Sequence, residues 1–514
     1  MTDSPYRIVI LGGGTAGWMA AAGLARLLPA ADYDITLIES DAIGTVGVGE
    51  ATLPHIKDFN DMLGLDEAEF MRATMASFKI GIEFVGWGRA GERYIHPFGT
   101  FGERWAGADF QHHHARARLA GSDTRSLQAY SFAVAAGRAA AFEHPGEDPA
   151  SIRSAYAYAY HFDAGLYARH LRQWATARGV RRMEGQVVDV ARDGESGDVA
   201  ALTLESGAEV AGDLFVDCSG FRSLLLGQTL GVPWRDWSEW LPCDRALALA
   251  CEGTAPLIPL TRCTAQRGGW TWRIPLQHRT GNGHVFASGF CSEEEAERTL
   301  RGAIDGAARG EPRLLRFQAG RRGAGWAGNV AAIGLSSGFL EPLESTSIFL
   351  IQAAVTDLAA LMPRRGDKVD ARLRAEFNRL FEIHYDRTRD FIVLHYAANA
   401  REGEPLWDHL RHMTLPDSLA HKIALYRESA IAPDYALGLF SRDSWLSVFE
   451  GQGIVPRACS PLAERLPLPE LQRRLDELAE RIAINAAEMT PLADYIAGTC
   501  AAEGVVLPGM ASAA

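Results

Sequence analysis

Three glycines near the N-terminus carry the first recognisable chemistry. Gly12, Gly14 and Gly17 are spaced G-x-G-x-x-G directly after the apolar run Ile8-Val9-Ile10-Leu11. That spacing lets a backbone turn tightly, approach a pyrophosphate and pack the next helix against the strand. The helix that follows, with Trp18 to Leu28 as its apolar run, then points its N-terminus at the phosphates. Glu39 closes a second expected strand, Asp34 to Glu39, at the distance of an acid that binds a ribose hydroxyl. A glycine-rich turn in an ordinary α/β unit is the competing reading, and the order strand, turn, helix, strand, acid favours dinucleotide binding.

Further groups with chemical potential follow along the chain. Val46 to Pro54 is a second glycine-rich loop whose backbone amides can approach a flat ring or a phosphate. Lys79 lies in the alternating stretch Phe78 to Phe84, which on pattern alone reads as a strand with a solvated lysine on its polar face. Trp270-x-Trp272-x-Ile274-Pro275 places two indoles on one strand face, and Pro275 ends the strand. Near residue 340, a strand, a glycine loop and a helix start combine into a second anion-attracting N-terminus, with Ser345 or Thr346 as cap and free amides at Thr346 and Ser347. Glu344 precedes them, where a capping acid is the ordinary explanation. His112, His113 and His114 cannot all face one metal from a regular element, so they read as a helix or loop surface, and no metal site is expected.

The elements that must position these groups are legible in outline. Leu63 to Met75 has helical spacing, Asp163 is placed to cap a helix over 164–178, and Gly281-Asn-Gly283 suits a hairpin turn. The segment from Val187 through Asp217 reads as strand, strand and a final strand into a small-residue turn. From about Asp367 the chain is mostly helical, with Leu471, Leu475, Leu478 and Ile482 on one stripe. The 514 residues suggest about three domain-sized units, merged where a cofactor joins them.

Composition narrows the function. The chain is 47% hydrophobic and 22% charged, as in a globular enzyme, and its net charge of -13 disfavours a nucleic-acid partner. Seven cysteines without a C-x-x-C pair fit a reduced cytoplasm rather than a disulfide framework or zinc ribbon. Neither a signal peptide nor a membrane-spanning apolar run is expected.

Taken together, the glycine motif, the loop Val46 to Thr52, Lys79, Trp270-x-Trp272-x-Ile274-Pro275 and Gly338-Phe-Leu-Glu-Pro-Leu-Glu344-Ser-Thr resemble the flavin-dependent halogenases of the tryptophan-halogenase family. The resemblance covers nearly the whole chain, and W-x-W-x-I-P is its specific element. It implies an α/β fold: an FAD-binding, Rossmann-like module of the glutathione-reductase type with β-sheets, joined to a mainly helical substrate module. The expected FAD module is discontinuous, over 1–95, 155–225 and 265–365, and the substrate module covers 96–154, 226–264 and 366–514. The resemblance also implies that reduced FAD, O2 and chloride or bromide yield hypohalous acid. Halide would wait by the amides of Thr346 and Ser347. Lys79 becomes the catalytic lysine that relays the electrophilic halogen, which reverses its bland reading, and burial lowers such an amine from about 10.4. Glu344 would orient the oxidant or act as general base. The indoles of Trp270 and Trp272, with Ile274 and Pro275, would screen flavin from substrate. Gly12, Gly14, Thr15, Ala16, Gly17, Glu39, Ala51, Val187, Leu335 and Ile351 fall at FAD contacts.

Two departures bear on specificity. Ser347 stands where relatives acting on free tryptophan carry glycine. The stretch from Tyr435 to Val455 also lacks their paired tyrosines and acidic cluster, so an indole derivative or another electron-rich aromatic is expected rather than free tryptophan. Trp407 and Trp445 are candidate pocket walls, with core packing the equal alternative. No second glycine motif for NAD(P)H is present, so a separate flavin reductase is the expected electron source, with a homodimer as the default assembly. The competing functions are an aromatic hydroxylase and a flavin-binding protein without chemistry.

Overall fold

The N-terminal unit forms as its pattern requires. In the computed structural model, which describes residues 4–42, 49–122 and 125–510, strand Tyr6–Leu11 runs into helix Thr15–Leu27 and returns as strand Tyr33–Glu39, parallel to the first. A six-stranded sheet grows from this pair by adding Leu214–Asp217 and Val330–Ala332 on one side and Arg181–Glu184 on the other, all parallel, with Trp326–Ala327 as an antiparallel edge. Helix Ala164–Thr176 lies in the crossover before Arg181, and the Asp163 carboxylate caps it by accepting from the Leu166 amide at 3.1 Å. A three-stranded antiparallel sheet, built from Val187–Arg192, Val199–Leu204 and Glu209–Ala211, shares an apolar core with the main sheet through Val9, Leu11, Ile38, Leu202 and Phe215. This unit comprises Met1–Ala76, Phe162–Leu241 and Phe317–Asp386.

The second unit comprises Ser77–His161, Pro242–Arg316 and Arg387–Ala514. Its centre is a seven-stranded sheet in the order Ala308–Arg316, Arg245–Cys251, Thr280–Phe286, Gly269–Pro275, Leu260–Gln266, Gly81–Val85 and Arg93–Pro97. Helices make up most of its C-terminal part, including Leu468–Ala487 with Leu471, Leu475, Leu478 and Ile482 buried on one stripe. The tryptophan strand, expected in the FAD module, belongs to this sheet.

Local expectations fail where tertiary contacts override pattern. The helix expected over 63–75 forms, but only as Glu67–Thr74: Leu63 ends the preceding helix, His55–Leu63, and Gly64 in the left-handed region breaks the chain between them. Gly281 to Gly283 is no turn. It lies inside strand Thr280–Phe286, and a Cβ on Gly283 would fall 2.0 Å from the Trp272 ring, so this glycine makes room for an indole. The actual turn spans Leu276 to Arg279. The stretch 78–84 divides at Ile80 into Ser77–Lys79, paired with Ala159–Asp163, and Gly81–Val85, paired with Leu260–Gln266. His112 to His114 sit on helix Phe110–Leu119 and are buried, contrary to the surface expected for them. Burial is tolerated because His113 bonds the Trp105 carbonyl at 2.8 Å and His114 that of Arg125 at 3.0 Å, while His112 accepts from the Ser460 amide.

Candidate active site

In the first unit the glycines define a cradle. A Cβ on Gly12 would lie 2.3 Å from the Cys218 carbonyl oxygen, and one on Gly17 would lie 1.8 Å from that of Gly12, so both positions exclude a side chain. Gly14 is different: nothing stands within 4 Å of where its Cβ would be. Open space therefore meets the start of helix Thr15–Leu27, whose first turn carries no acid to offset its positive end. Gly334, at φ +80°, brings the turn holding Leu335 against Ala16, with Ile351 alongside. The open space at Gly14 and the bare backbone of Gly12 to Gly17 fit the approach of a dinucleotide pyrophosphate.

Glu39 ends its strand where expected and is already well provided with donors. Arg182 Nε reaches it at 2.5 Å, Arg172 at 3.2 Å and Trp18 Nε1 at 3.2 Å. Val187 opens the three-stranded sheet and is partly buried against the core. Ala51 is buried on strand Gly49–Ala51, next to Glu50, whose carboxyl is pushed up to about 7 by burial. Residues 46–48 of the second glycine loop lie outside the described residues.

The turn before helix Thr346–Ala360 is strained. Glu341, Glu344 and Ser345 hold φ values of 80°, 65° and 59°, a region that side chains enter at about 1–3 kcal/mol each and that clusters at functional sites. Glu344 is 1% exposed. Ser345 occupies the N-cap position in a left-handed conformation and makes no side-chain cap, contrary to the expected capping by Ser345 or Thr346. Thr346 and Ser347 open the helix, where amides have no intrahelical acceptor.

In the second unit Lys79 is fully buried, and its ammonium stands 4.9 Å from the centre of the Phe98 ring. A solvated edge lysine is excluded by this placement. The strand that carries Lys79 is pinned two residues earlier: the Ser77 hydroxyl donates to the Pro275 carbonyl at 2.5 Å and lies 3.2 Å from His161 Nδ1. With that hydroxyl proton committed, Ser77 accepts from His161 Nδ1–H, and His161 Nε2 accepts from Thr261 at 2.9 Å. Burial, and then the nearby Lys79 charge, hold His161 well below the usual histidine range, so it is neutral. The Lys79 strand is thus tied directly to the end of the tryptophan strand by Ser77 and, through a histidine that the sequence did not single out, to Thr261 on strand Leu260–Gln266. Only the register Ser77 opposite His161 reveals it.

Trp270 and Trp272 share a face as expected, with ring centres 6.2 Å apart, and Trp87 continues the layer at 6.1 Å from Trp270. Ile274 and Pro275 are buried at the strand end. Trp407 is fully buried against Trp87 and donates to the Gln266 carbonyl at 2.7 Å. Trp445 is buried against Phe391. Among the described residues no cluster of histidine, cysteine or carboxylate side chains could hold a metal, and no helix is long and apolar enough to cross a membrane.

The tryptophan halogenase family model matches residues 7–468. A flavin-dependent halogenase from Brevundimonas sp. BAL3 superimposes with a TM-score of 0.92 at 42% identity, covering 97% of this chain and 100% of that one. A second, from Xanthomonas campestris, gives 0.92 at 44% identity over 97% and 99% of the two chains. A tryptophan 6-halogenase of Streptomyces toxytricini is 37% identical over 491 residues, 90% of this chain and 92% of its own length. With the glycine cradle, the buried lysine and the paired indoles all present in a chain matched along most of its length, this protein belongs to the tryptophan halogenase family and is an FAD-dependent halogenase.

Proposed function

We propose that this halogenase uses reduced FAD, O2 and chloride or bromide to place halogen on an electron-rich aromatic ring, an indole derivative rather than free tryptophan. Reduced FAD, when bound, would supply two of the four electrons that O2 takes up; halide gives the other two and leaves as hypohalous acid, with water as the second product. The observation that carries the reading is the complete burial of Lys79 in an aromatic setting, where water cannot hydrolyse what it holds. There Lys79 takes up the electrophilic halogen, as a hydrogen-bonded hypohalous acid or a haloamine, and delivers it to the ring.

Glu344 orients the oxidant or accepts the ring proton. The amides of Thr346 and Ser347 attract the halide through the positive end of their helix. The Trp270 and Trp272 indoles, with Ile274 and Pro275, screen the aromatic substrate from the cofactor. Gly12 to Gly17, Glu39, Ala51, Val187, Leu335 and Ile351 hold the FAD. Electrons arrive through a separate flavin reductase. Incubating the protein with FAD, a reductase, NADH, indole and bromide tests the reading: a product bearing the bromine isotope pair is expected. Oxygen insertion alone would instead identify an aromatic hydroxylase.

A further inference from the structure

The seven-stranded sheet of the second unit carries a second set of polar groups on the face turned away from its indoles. Trp270 and Trp272 take one side of strand Gly269–Pro275, so Thr271 and Arg273 take the other. Register then sets Arg262 directly opposite Arg273, and Thr264 opposite Thr271, on strand Leu260–Gln266. Asn282 faces Arg273 from the strand on the other side, Thr280–Phe286. Like charges directly opposite one another destabilise a sheet, and an anion held between the two arginines would offset that cost.

A cavity opens over this pair. Its volume is about 430 Å³, within the range of small-molecule sites, and helix Glu293–Ala303 adds Arg298 and Thr299 to its wall. Three arginines line it against one carboxylate, Asp305. In a chain of net charge -13 such a concave basic surface concentrates anions where the rest of the molecule repels them.

Both sheet arginines are anchored but not used up. Arg273 Nε donates to Asp305 at 2.6 Å and its Nη2 to Thr254 at 3.3 Å. Arg262 Nε donates to Glu83 at 2.6 Å, and Glu83 also faces Arg93 at 3.5 Å, so that carboxylate is divided between two cations. A guanidinium fixed through Nε still presents Nη donors, and two of them side by side match the oxygens of a phosphate.

Neutral groups continue the site. Thr271 Oγ1 accepts from Gln266 Nε2 at 3.3 Å, which leaves the hydroxyl proton to donate. Asn282 commits its Nδ2 to the Thr280 carbonyl at 3.3 Å and to Cys251 Sγ at 3.1 Å, which leaves Oδ1 to accept. A donor and an acceptor of this kind suit hydroxyl groups. A second cavity, of about 340 Å³, shares Arg262, Arg273 and Asp305 with the first and adds Ala255, Pro256 and Ile258. An anion on the arginine pair therefore has both a hydroxyl-matching lobe and an apolar lobe beside it.

We propose that Arg262 and Arg273 form a binding site for a phosphate monoester with a hydroxylated carbon skeleton, the chemistry shared by mononucleotides and sugar phosphates. It is a second ligand site, built from none of the residues assigned to FAD, halide or halogen transfer.

Calorimetric titration of FAD-loaded protein with AMP, ribose 5-phosphate, adenosine and inorganic phosphate tests it, with flavin absorbance after gel filtration showing that the cofactor stays in place. At least one of the two esters is expected to bind about tenfold more tightly than adenosine and inorganic phosphate, a difference of about 1.4 kcal/mol. The tighter of AMP and ribose 5-phosphate identifies the skeleton. Arg262→Gln and Arg273→Gln should each weaken that ester about tenfold while FAD remains bound. Arg298→Gln, on an exposed part of its helix, should weaken it about threefold, and it decides the matter should both sheet variants fail to fold. Adenosine or inorganic phosphate binding as tightly as both esters, loss of FAD during the titration, or an affinity unchanged in the variants overturns the proposal.

Discussion

Two charged groups, Glu39 in the first unit and Arg387 in the second, are held in opposite ways. In the first, Glu39 is met by two arginines and an indole N–H, so the group is a fixed part of the architecture. In the second, the Arg387 guanidinium lies over the Tyr435 face, and its Nη1 has no acceptor among the described residues. A ring quadrupole attracts a cation without using up its N–H donors.

The most severe test of the division between the two units is Lys79→Ala. Halogenation should fall by at least about 10³-fold, while flavin absorbance after gel filtration shows FAD still bound. If the variant also loses FAD, the two units are not separable in the way described.

Next in size is a pair of glycine substitutions that sharpens the account of the cradle. Gly17→Ala drives a methyl into the Gly12 carbonyl, so melting should fall by the several degrees that an overpacked core costs, about 1–3 kcal/mol, and FAD should be lost. Gly14→Ala meets no protein atom. Its melting temperature should hold, while its FAD affinity falls about tenfold because the methyl occupies the phosphate's place.

A smaller effect is expected at Ser77. Ser77→Ala removes the link between the Lys79 strand, His161 and Pro275 and leaves buried polar atoms unmatched, at about 1–3 kcal/mol of stability. Turnover should drop about tenfold in kcat as Lys79 loses its position, with FAD affinity unchanged.

The mildest effect concerns pH. His161 stays neutral when folded but binds a proton near pH 6.5 when unfolded, so its contribution falls as pH drops below about 6.5, with a slope approaching 1.4 kcal/mol per pH unit. Glu50 has the opposite sign. Its folded carboxyl keeps its proton up to about 7, so stability declines as pH rises from the unfolded value of 4.5 toward 7. Comparing melting of the unaltered protein and His161→Gln between pH 5 and 8 isolates the histidine, since every other group is common to both. Parallel curves would remove His161 from the account.

How far the molecule could be read in advance follows the same division. The cradle was legible because its parts lie within 34 residues of one another, from Tyr6 to Glu39, and each residue type has one steric reason to be there. The lysine corner was not. Pattern alone put Lys79 in solvent, and only a resemblance moved it inside. His161, Ser77 and Thr261 gave no signal because their contact depends on pairing between strands more than eighty residues apart. Gly283 was misread for the same reason, since a turn glycine and a glycine beneath an indole look alike until the neighbouring strand is in place.

The amino-acid order by itself determined the parallel α/β core, the phosphate-facing helix, the shared face of the two indoles and the buried stripe of the C-terminal helix. Each follows from periods of two or 3.6 residues and from the steric permissiveness of glycine, which act over a few residues. Only the folded chain decided that Lys79 is dry, that His161 is neutral and that Arg387 is left wanting an acceptor. Burial and hydrogen-bond partners belong to the whole packing, and no local pattern encodes which distant group will supply or withhold them.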